Sequence, residues 1–90
     1  MSRYFIMAFM KIREAQIFSD KVVDLIGEEM KKRRISRYLL AQITQLSEPS
    51  LSFIFHHQRR PTLYTLIRIT NALNISLADI IAKVEKDLIK

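Results

Sequence analysis

The polar chemistry of this chain rests on basic and hydroxyl side chains, and their spacing narrows what that chemistry can be. There is no cysteine, which excludes a thiolate nucleophile, a disulfide and a thiolate metal site. His56 and His57 are adjacent, so their side chains diverge, and no third histidine completes a ligand set. They are read as loop histidines near phosphate rather than as metal ligands. No spacing supports a catalytic triad. The chain is therefore expected to be no enzyme and to carry no cofactor and no metal. What remains is anion recognition. The run Lys31-Lys32-Arg33-Arg34 is followed by Arg37 and, further on, by Arg59-Arg60. Guanidinium forks match the paired oxygens of a phosphate. Ser36, Ser47, Thr62 and Ser76 each precede an apolar-periodic stretch and so mark helix N-termini, whose free N–H groups also favour anions.

These marks define the elements. A first helix is expected over Ser19–Arg33, with a start near Glu14 as the other option. Ser19 would cap it, and Val22, Val23, Leu25, Ile26 and Met30 form its apolar stripe. Gly27 costs up to ~1 kcal/mol there relative to alanine, which suggests a close approach by a neighbour. A second helix follows Ser36, with Leu39, Leu40 and Ile43 inward, and ends near Thr44. Gln45-Leu46 is the joint. Ser47 caps a third helix opening Glu48-Pro49, with Leu51, Ile54 and Phe55 toward the core and Phe53 outward. His56–Arg60 is a basic loop. Thr62 caps a fourth helix carrying Leu63, Leu66, Ile67, Ile69 and Leu73, and Asn74 is its expected left-handed C-cap. Ser76 caps a fifth, with Leu77, Ile80, Ile81 and Val84 inward. The fold class is all-α, with five helices.

Ninety residues make one domain with a single core. One glycine and two prolines are too few for the turns of an all-β fold. The net charge of +6 points to nucleic acid or an anionic membrane surface as partner. The longest apolar run, Tyr4–Met10, is far short of the ~20 residues of a membrane span and makes a poor signal peptide, so no membrane role is expected. The absence of cysteine suits a reducing cytoplasm. Residues 1–12 read separately from 13–90. They form a short strand or an arm packing on a partner subunit, or else an over-long gene start.

Two short helices joined by a tight turn, the second opening with small and polar residues, make a helix-turn-helix layout over Ser36–Phe55. Ala41 lets the helices cross closely, and Leu40, Leu46, Leu51 and Ile54 bury the joint. From here the sequence resembles the phage-repressor and Cro-like (XRE-type) helix-turn-helix regulators. The likeness runs from about Val22 to Val84. It is carried by Ser36–Ala41, by Leu46–Ile54, by Arg59-Arg60-Pro61-Thr62-Leu63 and by the run Leu66–Leu77. Gln45 stands where that family usually has glycine, His56-His57 where Asn-Gly or Lys-Gly is common, and Arg37 and Glu48 where glutamines often stand.

The resemblance implies a lambda-repressor-like DNA-binding domain with an N-terminal apolar arm, acting on double-stranded DNA as a transcription regulator, expected to be a repressor. Glu48, Pro49, Ser50, Ser52 and Phe53 would meet base edges in the major groove. Arg37, Ser47, Arg59, Arg60, Thr62 and Tyr64 would meet phosphates. In that company the run Lys31–Arg34 is read as phosphate-facing more than as a solvated helix end. A homodimer is expected, since one recognition helix reads few base pairs. Its interface would use Ile80, Ile81, Val84, Leu88 and Ile89, with Tyr4–Met10 as a second candidate. A regulatory partner protein is left open. The alternative function is a small helical protein–protein interaction module, antitoxin-like or partner-binding.

Overall fold

The computed structural model describes residues 3–89, with side chains over 11–88. Five helices follow in order: α1 (Arg3–Lys32), α2 (Arg37–Thr44), α3 (Glu48–Phe55), α4 (Leu63–Ala72) and α5 (Leu77–Ile89). Among the described residues there is no strand.

The expected caps form. Ser36, Ser47 and Thr62 adopt extended backbone and accept from the N–H three residues on, at 3.1, 3.2 and 3.1 Å. Ser76 does the same for Asp79 at 3.3 Å. Helix ends are closed in a shared manner. Arg34, His57 and Asn74 each stand at left-handed φ, between 56° and 61°. After each, the next N–H reaches back to a carbonyl five residues earlier: Ile35 to Met30 at 3.1 Å, Gln58 to Phe53 at 2.8 Å, Ile75 to Thr70 at 3.0 Å. These are Schellman closures, a geometry that usually recruits glycine. Here the chain's one glycine lies elsewhere, inside α1.

The core is a single cluster to which every helix contributes: Val22 and Ile26, Leu40, Leu51, Ile69 and Leu73, Ile80 and Val84. Two buried hydroxyls need partners and find them in their own helices. Thr44 donates to the Leu40 carbonyl at 2.7 Å and Thr70 to that of Leu66 at 2.9 Å. Gly27 packs under Phe55 of α3. A Cβ at position 27 would lie 3.6 Å from that ring, ordinary van der Waals contact.

Three expectations are corrected. Ser19 does not cap α1, because the helix begins at Arg3. No glycine or proline interrupts Arg3–Ile26, so nothing in the chain stops the helix earlier. Residues 3–12 are likewise the first turns of α1 and not a short strand, and side chains before Lys11 lie outside the described residues. Leu39 and Ile43 do not face inward. They are 41% and 51% exposed, because α2 presents only the narrow stripe of Leu40 and Thr44 to the core. Leu63 and Ile67 of α4 are likewise outward. Finally, Ile80 and Val84 are each 3% exposed in the protomer's own core, so they cannot supply an outer dimer face. Ile81 is half-buried and Leu88 exposed, and the side chain of Ile89 lies outside the described residues.

Candidate nucleic-acid interface

The joint between α2 and α3 sets the angle of α3. Gln45 makes it at φ 60°, ψ 25°, the left-handed conformation at which a side chain costs energy that glycine avoids. Two bonds secure the strained residue's neighbours. The Leu46 N–H donates to Thr44 Oγ1 at 3.3 Å, and the Arg68 guanidinium of α4 donates to the Thr44 carbonyl. Arg68 also lies over the Tyr64 ring, 5.4 Å from its centre.

With Leu51 and Ile54 fixed in the core, helical spacing turns Glu48, Pro49 and Phe53 outward, and they are exposed. Ser52 shares this face and is half-buried. Ser50 differs. Its hydroxyl accepts from Ser47 Oγ at 2.9 Å and completes the cap. One turn on, His56 folds back on its own helix, with Nδ1 2.8 Å from the Ser52 carbonyl. The hydroxyl of Thr62 is also bound locally, to Thr65. Ser47 and Thr62 therefore offer an anion the N–H groups of their first turns rather than their hydroxyls.

Basic groups flank α3 on both sides. Arg37 opens α2 and is exposed. It borders an open cleft of about 520 Å³ with Lys31 and His56, over a floor of Val23, Met30 and Phe55. On the other side the loop brings Arg59 back so that its guanidinium lies 5.3 Å from the centre of the Phe53 ring. Arg60 is within 3.8 Å of Asp20 on α1. Tyr64 is 68% exposed on the outer face of α4. Lys32 and Arg33 pair with Glu29 at 3.6 and 3.8 Å, so part of that basic run is neutralised within α1.

Reading the sequence missed the partners of His57. The side chain, one third exposed, turns back toward α1. It lies between two aspartates of α1, Nε2 2.8 Å from Asp24 and Nδ1 3.5 Å from Asp20. A contact across more than thirty residues leaves no local pattern to find. Among the described residues no group of three or more His, Asp or Glu side chains is placed to hold a metal ion. No single described helix is long and apolar enough to cross a membrane.

A family model described as the Cro/C1-type HTH DNA-binding domain matches residues 26–86, well over half of the chain. No curated protein and no solved structure matches.

Proposed function

The chain belongs to the Cro/C1-type helix-turn-helix family of DNA-binding domains, and from that premise we propose a sequence-specific transcription regulator, a repressor, that acts as a homodimer on DNA in the cytoplasm. The observation that carries this reading is the exposed row Glu48, Pro49 and Phe53 on α3, with Ser52 beside it, bordered by Arg37 on one side and Arg59 on the other. The row would enter the major groove. Glu48 is suited to accept from a cytosine amino group and Phe53 to touch a thymine methyl. Arg37, Arg59, Arg60, Tyr64 and the first turns after Ser47 and Thr62 would hold phosphates on either side and set the register. Repression would follow from occupancy of a site that transcription needs.

Selection of bound duplexes from a random pool tests this directly. The expected result is one enriched, near-palindromic motif, preferred over bulk DNA by about 10³-fold or more. Weak binding that enriches no motif and vanishes with added salt would instead support a protein-interaction module. The exposed Leu39 and Ile43 of α2 and Leu63 and Ile67 of α4 favour that second reading, because apolar side chains of this kind serve protein contacts better than phosphate.

A further inference from the structure

The basic loop after α3 is tied to α1 through one ring. His57 stands at φ 61°, and its own N–H closes on the Ile54 carbonyl at 3.1 Å. This left-handed turn aims the imidazole away from α3 and into α1. There Nε2 lies 2.8 Å from Asp24 Oδ1 and Nδ1 lies 3.5 Å from Asp20 Oδ1. The second oxygen of Asp20 is 3.8 Å from the Arg60 guanidinium. The side chains of His57 and Asp20 are each 33% exposed and that of Asp24 is 58% exposed, so solvent screens the His57–Asp20 contact less than the His57–Asp24 one. The residues that follow, 58–62, include Arg59, Arg60 and the N-cap of α4.

We propose that His57, gripped between Asp20 and Asp24, is a positioning residue for DNA binding, holding the loop 58–62 where its basic groups and the first turn of α4 meet phosphate. The inference rests on the DNA-binding reading above. An untethered loop must be ordered at the moment of binding, and that ordering lowers affinity. The tether removes the cost beforehand. Each ring nitrogen faces one carboxylate. A ring with a proton on each nitrogen donates to both carboxylates, whereas a neutral ring has one N–H and turns a lone pair toward the other aspartate. Asp20 and Asp24 are the charged groups of α1 within ion-pair reach of the ring among the described residues. Arg60 joins through Asp20. His56, at the C-terminal cap of α3, is directed at Ser52 instead.

The test is equilibrium binding of the full chain, as wild type, His57→Gln and Asp24→Asn, to the selected duplex and to a mixed-sequence duplex. Each variant is held well below its melting temperature, checked by circular dichroism. Both variants are expected to lose about five- to ten-fold in affinity on both duplexes, with the preferred motif unchanged. The double variant His57→Gln/Asp24→Asn should lose no more affinity than either single variant, as for two partners in one contact. Folded variants that keep wild-type affinity on both duplexes would overturn the proposal while leaving the DNA-binding reading intact. A wild type that binds no duplex would overturn both.

Discussion

Arg59 has two possible partners, the ring it covers and the phosphate it is proposed to meet. Its guanidinium lies over Phe53, so the loop and the reading face of α3 share a contact. The stack holds a flexible side chain near its working position and shields one face of an exposed aromatic ring. Arg59→Ala should weaken binding to all sequences alike and lower the salt slope by roughly one unit, as for a single phosphate contact. A titration in salt reads this directly, and a changed motif with full affinity would contradict it. Glu48→Gln and Phe53→Ala should do the opposite. Each should redirect the selected motif, with a lost base contact worth about 1–3 kcal/mol. An unchanged motif in both would remove α3 from base readout. At this scale the sequence is legible where a side chain acts on its own turn. The caps at Ser36, Ser47, Thr62 and Ser76 were readable because serine and threonine bond the N–H three residues on. The grip of Asp20 and Asp24 on His57 was not, because α1 and the loop meet only in the fold.

The helices were readable from their stripes and stops, and misread where these were weak. α1 was expected to begin at Ser19, a good capping residue that sits in the middle of a helix nothing interrupts. In α2, eight residues leave room for one buried stripe, and an apolar residue on either side of it looks the same from spacing alone. Leu39 and Ile43 are of that kind. Gly27 was rightly seen as a point of close approach, since Phe55 packs there. The gap is nevertheless wide enough for a methyl group at ordinary contact distance. Gly27→Ala should therefore stabilise the domain by about 0.5–1 kcal/mol through helix propensity, seen as a raised midpoint in urea with the slope unchanged. A loss of stability would mean that Phe55 cannot keep its place against the added carbon.

The molecule is long for its size, with extents of 49 × 26 × 18 Å. α1 sets the long axis, at roughly 45 Å for 30 residues. Its residues 11–17 are exposed, among them Ile12 at 60% and Ile17 at 44%. With Leu88 of α5, and with Leu39, Ile43, Leu63 and Ile67 on α2 and α4, these are exposed apolar side chains on which a second copy would pack, now that Ile80 and Val84 belong to the core. Sedimentation at micromolar concentration should give a dimer. On a palindrome its recognition helices should lie about one DNA turn apart, near 34 Å. A clean monomer that gains nothing from the second half-site would exclude the dimer. Where a second copy would pack is the least legible question, because the apolar period marks what is buried without saying whether the chain or a twin does the burying.

The bond from Arg68 to the Thr44 carbonyl joins the turn of the motif to α4. In hydrogen–deuterium exchange this makes α2, α3 and α4 one opening unit. Amide protons of Leu40, Leu51 and Ile69 should exchange with a shared, near-global free energy. The amides of residues 11–17, on a helix stretch with exposed side chains, should exchange orders of magnitude sooner. If α4 instead exchanged well ahead of α2 and α3, the guanidinium would be resting on that carbonyl without fastening it. The reading head of this molecule would then be two helices and not three.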